Sequence, residues 1–266
     1  MIARVLRVNR NQLALGAHNK RRGVSVIKDP YGANVSLLLP FDGFVDISRS
    51  PKTITADGNA NTTTAKAVFN GSCSGYFDGT NSRLSIAHDT NLSFGTITAA
   101  TNFSIEFWIY PTGTMSGSSS YWLFSKGMPG SGGSGVSGWG VRIYGGCVSL
   151  MVGATTATYA AYIATSATLT ANVWTHVAII CISGAPYFYF NGVPQIYTYT
   201  YGTTLLNSNT TNAAYALEIG CSQIDSGNPS RSNWFFGYLY GIRITPGIAR
   251  DVAYKVPTRP YPDPRL

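Results

Sequence analysis

The chain has 266 residues, 44% of them apolar and 13% aromatic but only 11% charged, with 29 Gly and 13 Pro. A charged share far below the usual ~25% and so many turn-formers describe a globular, turn-rich chain long enough for one large all-β domain. No segment carries the ~18 apolar residues of a membrane-spanning helix. Apart from a short N-terminal stretch none has a secretory signal's layout, so export by a signal of its own is not expected.

The net charge of +8 is unevenly placed. Residues 1–28 hold Arg4, Arg7, Arg10, Lys20, Arg21, Arg22 and Lys28 with no acid, leaving twelve basic and eleven acidic residues for all that follows. A near-neutral body behind a basic arm (residues 1–30) points to a partner of opposite sign. The arm has no sustained helix period. It is either a loosely ordered terminus or a segment that orders on an acidic neighbouring subunit, nucleic acid being the weaker partner because residues 1–28 offer no aromatic ring to stack on bases.

The body then runs through short extended segments. Val35, Leu37 and Leu39 form a strand that stops at Pro40 and turns at Asp42 and Gly43. Asp46 to Ala67 is a polar connection with short strands. Tyr76 and Phe77, the Asp78-Gly79 turn, and Leu84 with Ile86 read as a hairpin. In NFSIEFWIYPT (Asn102 to Thr112), Phe103, Ile105, Phe107 and Ile109 share one face, while Ser104, Glu106, Trp108 and Tyr110 share the other. Such a strand suits the middle of a sheet, with one face in the core and the other broad and stackable.

Beyond it, Trp122 to Gly127 is a strand, Met128 to Gly138 a Gly/Ser loop, and Trp139 to Gly153 two strands about Gly145 and Gly146. Trp174 to Ile182 and Tyr187 to Phe190 follow, the latter ending at the Asn191-Gly192 turn. Ala216 to Gly220 and Phe235 to Thr245 complete at least ten short strands, which predicts a β-sandwich. In the tail, residues 251–266, Pro257, Pro260, Pro262 and Pro264 hold the backbone extended and predict that it lies along a surface.

Cys73, Cys147, Cys181 and Cys221 form no Cys-x-x-Cys pair, and a core this large needs no staples, so buried free thiols are expected. Glu106 and Glu218 are the only Glu on the predicted strands, each isolated, whereas glycoside hydrolysis needs two carboxylates a few ångströms apart, which argues against a glycosidase. His176 has no Ser or Cys partner in a nucleophile motif and is expected to be structural. Tyr121, Trp122, Trp139, Tyr197, Tyr199 and Tyr201 are candidate sugar-stacking or interface aromatics.

Together YFDGTNSRLSIAHDTNLSFG, NFSIEFWIYPT, VWTHVAIICISGAPYFYFNGV and FFGYLYGIRITPGIAR resemble the successive blocks of a concanavalin A-like, laminin G-type jelly roll over about residues 35–255, within a body spanning 31–250. The resemblance implies two antiparallel sheets face to face, with rim loops used for binding. It also implies a rim calcium site, for which Asp42 and Asp46 match the family's acidic positions. Tyr240 and Gly241 stand where the family's last strand usually has an acid, which removes one ligand from that set; no other cofactor is expected. The opening VSLLLPFDG and the R-I-T-x-G-x-A-R ending are similar to modules of bacteriophage structural proteins. That resemblance implies a non-enzymatic virion protein, a decoration, cement or fibre-associated module. Its termini would dock on capsid or tail subunits, as an oligomer, with adhesion to host-surface glycans as the alternative and no membrane role.

Overall fold

The computed structural model describes residues 29–127, 137–153, 159–211, 215–225, 228–250 and 255–265. Eighteen strands are present among them: β1 (Leu37–Leu39), β2 (Ile54–Asp57), β3 (Asn61–Thr63), β4 (Ser74–Asp78), β5 (Arg83–Ile86), β6 (Phe103–Pro111), β7 (Ser120–Lys126), β8 (Trp139–Tyr144) and β9 (Cys147–Gly153). The second half of the chain contributes β10 (Tyr159–Thr168), β11 (Thr175–Ile182), β12 (Ala185–Phe190), β13 (Val193–Gln195), β14 (Tyr197–Tyr201), β15 (Leu217–Ile219), β16 (Ser222–Asp225), β17 (Asn228–Ser232) and β18 (Phe236–Pro246). Two antiparallel sheets result. Sheet A runs β13-β12-β11-β6-β18-β4-β3 with β1 also paired to β18, sheet B runs β14-β10-β9-β8-β7-β15-β5-β2, and β16 and β17 pair with each other.

The predicted central strand is central. Strand β6 pairs with β11 on one side and β18 on the other, and Phe103, Ile105, Phe107 and Ile109 are fully buried between the sheets. They meet Phe124, Val141, Ile143, Leu150 and Ile163 from sheet B in one continuous core. Phe107 packs edge-on against Phe124 at 5.1 Å between ring centroids, and Phe94 stacks on Phe103 at 4.0 Å. Each such side chain contributes ~1.5–3 kcal/mol by leaving water, which is why the alternation fixes the register.

The predicted hairpin at Asp78-Gly79 is corrected. Strand β4 lies in sheet A and β5 in sheet B, so this turn carries the chain across the sandwich. Asp78 Oδ1 accepts the amides of Thr80, Asn81 and Ser82, and Oδ2 accepts Asn59 Nδ2 and the Thr80 hydroxyl. The same Asx turn chemistry serves a hairpin or a crossover. All four cysteines are free, Cys181 and Cys221 buried, and burial pushes these two thiols up to about 11 and about 12.

The outer face of sheet A is partly covered. The C-terminal segment crosses it, with Ala249 and Val256 packed on Ala178, Ile180 and Tyr189. Arg49 Nε donates to the Pro264 carbonyl at 2.8 Å, and the proline ring lies close over Gly32. The tail lies along a surface as expected, and for residues 255–265 that surface is its own sandwich.

Candidate functional site

Two polar assemblies stand outside the core, one on each sheet's outer face. On sheet A, register places Glu106 of β6 opposite Ala178 of β11 and Arg243 of β18, and His176 opposite Trp108. A bulge in β18 between Tyr240 and Arg243, with Gly241 at φ +59, turns both of those side chains outward despite their odd spacing. Arg250 Nη1 then reaches both Glu106 oxygens at 2.8 Å, and Asp29 Oδ2 lies 2.6 Å from Arg243 Nη2, an ion pair off the line of a hydrogen bond. Burial pushes the Glu106 carboxyl up, but the Arg250, Arg243 and His176 charges outweigh it and hold the group below its usual range. A cleft of about 450 Å³ opens beside this cluster under the tail, yet both of its inner arginines, Arg243 and Arg250, are already paired.

On sheet B the outer face divides in two. The half on β2, β5 and β15 is closed by charge pairs: Arg83 with Asp57 at 2.9 Å, and Arg231 from β17 with Glu218 at 2.8 Å. The other half carries aromatic rings about one cation. In β8, Trp139, Val141 and Ile143 face the core, so Gly140, Arg142 and Tyr144 face out. The Arg142 guanidinium lies 4.8 Å from the Tyr162 ring centroid, 5.1 Å from Tyr144 and 5.9 Å from Trp122. These distances are within cation–π range. Trp122 stands directly across from Arg142 on β7, and Ser149 directly across on β9. Tyr162 stands across from Tyr201 at the sheet edge, where Tyr201 is half exposed.

Trp122 Nε1, Arg142 Nε, Ser149 Oγ and Ser120 Oγ are all buried without a hydrogen-bond partner among the described residues. Each is a group that normally finds one. With Tyr144 exposed above them, the patch joins a stacking surface to a half-buried cation.

The predicted site residues are distributed unevenly around this patch. Trp122 and Tyr201 belong to it, though Trp122 is fully buried and serves as floor, not as an exposed platform. Trp139 is corrected: it is a core residue, packed 5.2 Å from Phe94, and its Nε1 donates to the Leu92 carbonyl at 2.8 Å. Tyr121, Tyr197 and Tyr199 are half-buried against the core. Asp42 is exposed, but Asp46 is buried, its oxygens accepting the amides of Leu38, Ser48 and Lys52 and the Ser48 hydroxyl. That fills the lone-pair sites of a carboxylate, so Asp46 is a loop brace and the calcium reading of it is corrected. Among the described residues no three of His, Cys, Asp and Glu are grouped as metal ligands. Arg4, Arg7, Arg10, Lys20, Arg21, Arg22 and Lys28 lie outside the described residues.

Arg142, Tyr144 and Tyr162 are absent from the predicted set. The alternation of Trp139 to Tyr144 was sufficient to put Arg142 and Tyr144 on one face. Tyr162 was hidden because YAAYIATSAT is Ala-rich and carries weak strand propensity.

Against known proteins, a family model for the concanavalin A-like lectin/glucanases superfamily matches residues 78–247. No curated protein matches the sequence. Among solved structures, the binding domain of Paraclostridial Mosquitocidal Protein 1 is similar at TM-score 0.60 and 16% identity, over 83% of this chain and 50% of that one. The binding domain of botulinum neurotoxin serotype G is similar at TM-score 0.56 and 17% identity, over 82% of this chain and 49% of that one. The receptor binding domain of botulinum neurotoxin D gives TM-score 0.55 and 16% identity over 81% and 50%. The chain thus spans about half the length of these structures, and at such identity the likeness is one of fold. Fold, strand blocks and family match agree: the chain belongs to the concanavalin A-like lectin/glucanase superfamily.

Proposed function

We propose that this protein is a non-catalytic recognition module that binds saccharide on the outer face of sheet B, at Arg142, Tyr144 and Tyr162. The observation that carries the reading is the half-buried Arg142 guanidinium set among three aromatic rings, of which Tyr144 is exposed. Sugars offer apolar C–H faces to rings and hydroxyls to polar groups, and this patch supplies both counterparts. The similarity to domains titled binding and receptor binding supports the same class of role. A non-catalytic module also fits the carboxylates: Glu106 and Glu218 lie on different sheets, each paired to arginine. The test is a glycan array probed with the wild-type protein and with Tyr144→Ala and Tyr162→Ala. Binding lost in both variants, with unchanged thermal unfolding, supports the reading; binding that survives both rejects this face as the site.

A second reading, a bacteriophage virion module displayed on the particle, is favoured by the charge partition of residues 1–28. Asp29, the first described residue after that segment, is paired with Arg243 on the outer face of sheet A. In this reading the arm docks on an acidic capsid or tail subunit, and the exposed Val193 and Ile196 at and beside β13 serve an oligomer contact. The saccharide patch and the arm are compatible in one adhesive particle protein. Co-sedimentation with particles lacking the protein, by the full chain and by a version without residues 1–28, tests it: arm-dependent, salt-sensitive binding supports docking, and no binding by either rejects it.

A further inference from the structure

We propose that the ligand of the sheet B patch is an anionic saccharide, one bearing a carboxylate or a sulfate that Arg142 receives; this rests on the saccharide-binding reading of that face. The first ground is the exceptional state of Arg142. The other arginines on strands each have a carboxylate: Arg83 has Asp57 and Glu218, Arg231 has Glu218, and Arg243 has Asp29. Arg142 is half-buried among rings, and no ion pair or hydrogen bond holds it among the described residues.

The second ground is what surrounds it. Across the neighbouring strands the outward positions are Ser120 and Trp122 on β7, Tyr144 on β8, Ser149 and Met151 on β9, and Tyr162 and Ala164 on β10. None is acidic. On the other half of this face Glu218 is fixed by Arg83 and Arg231. A neutral sugar presents hydroxyls that both donate and accept, and a site for it gains from carboxylate or amide acceptors. This patch instead centres on the Arg142 guanidinium, which donates and never accepts, beside hydroxyls that can do either. The complementary ligand group accepts only, is flat or tripodal, and carries the charge that Arg142 lacks. Carboxylates and sulfates fit that description, and an arginine fork takes either with two parallel N–H···O bonds.

The third ground is geometric. The three rings hold the cation in place before any ligand arrives, and Gly140 leaves the room for it: a Cβ there would lie 2.4 Å from Trp122 Cζ3. The Trp122 ring therefore lies on the backbone of β8, and Arg142 and Tyr144 rise beside it. An acidic sugar can then set its ring against Tyr144, which is 42% exposed, while its charged group meets the guanidinium.

The experiment uses three probes on the intact protein by calorimetry: lactose, sialyllactose and lactose 3′-sulfate, which share a core and differ in charge. The expected result is at least about tenfold tighter binding of a charged probe than of lactose, weakening as salt is raised. Whichever charged probe is preferred assigns carboxylate or sulfate. Arg142→Gln is expected to abolish the preference, and Arg142→Lys to retain only part of it, both with unchanged thermal unfolding. Equal binding of lactose and the charged probes, or a preference that survives Arg142→Gln, overturns the anionic ligand while leaving a saccharide platform standing. Failure of every neutral and acidic saccharide on a glycan array overturns the platform and the inference with it.

Discussion

Glu106 and Arg250 are 144 residues apart in sequence, and Arg250 Nη1 lies 2.8 Å from both oxygens of the fully buried Glu106 carboxylate. The pair joins the middle of the central strand to the start of the C-terminal segment. Around it Tyr261 approaches Glu106 Oε1 and His176 Nε2, so one buried cluster ties β6, β11, β18 and the tail together. The chain's own end thus covers the outer face of sheet A over Glu106, Ala178 and Ile180.

Breaking that pair is expected to be costly. In Arg250→Met the Glu106 charge stays buried with its closest cation gone, which predicts a loss of about 3–5 kcal/mol in urea unfolding. Glu106→Gln in the same background removes the stranded charge and is expected to recover part of the loss, a positive coupling in a double-mutant cycle. Additive losses would show that the two residues act independently and that the tail is held by its apolar contacts alone.

The same cluster predicts acid sensitivity. Burial pushes His176 down from 6.5 to about 4, with the Arg250 charge adding to this and Glu106 opposing it. The unfolded chain therefore takes up a proton on this group before the folded protein does. Stability from His176 is complete above pH 6.5, is lost as pH falls toward 4, and changes no further below that, a span of up to about 3 kcal/mol. Glu106, with its carboxyl held low, adds its own loss only below its ordinary value of 4.5. Thermal unfolding followed from pH 8 to pH 4 is expected to show a falling Tm below 6.5 that His176→Gln flattens. An identical slope in the variant would assign the acid loss to other groups.

How much of this was legible in the sequence depended on which face a residue takes. The inward row Phe103, Ile105, Phe107 and Ile109 was readable because strict alternation has one solution when one side is buried. The outward row reads only as broad and stackable, because nothing local reveals that Arg250 and Tyr261 return to cover Glu106. Trp122 and Trp139 looked alike as aromatics near loops, yet the register shift in β7 between Trp122 and Phe124 sends Leu123 and Phe124 inward together and Trp122 outward. A bulge of that kind leaves no mark in composition. The crossover at Asp78 was taken for a hairpin because sheet membership is decided by distant partners, Tyr238 for β4 and Glu218 for β5.

Asp46 gives a test that separates a brace from a metal ligand. Its four accepted hydrogen bonds hold the loop from Leu38 to Lys52. Asp46→Ala strands those buried donors, each worth about 1–3 kcal/mol when left unmade, and is expected to lower Tm clearly. Chelator is expected to leave wild-type Tm unchanged, and added calcium to leave the variant unrescued. Calcium-dependent stabilisation of wild type that the variant lacks would return Asp46 to a ligand role.

Gly140 offers the sharpest link between packing and the proposed site. With an added Cβ 2.4 Å from Trp122 Cζ3 and 2.9 Å from the Phe124 carbonyl, the indole must move, since the carbonyl belongs to a paired strand. Overpacking of this kind costs about 1–3 kcal/mol, so Gly140→Ala is expected to fold with reduced stability. Moving the indole also removes one of the three rings around Arg142 and displaces the guanidinium from the others. Saccharide affinity is therefore expected to fall further than in Trp122→Phe, which keeps a ring over Gly140 and deletes only the larger indole with its unpartnered N–H. Calorimetry on both variants, with tryptophan fluorescence reporting the indole's surroundings, checks the order. If Gly140→Ala binds as wild type while its fluorescence shifts, the floor is not part of the site, and recognition rests on Tyr144 and Tyr162 alone.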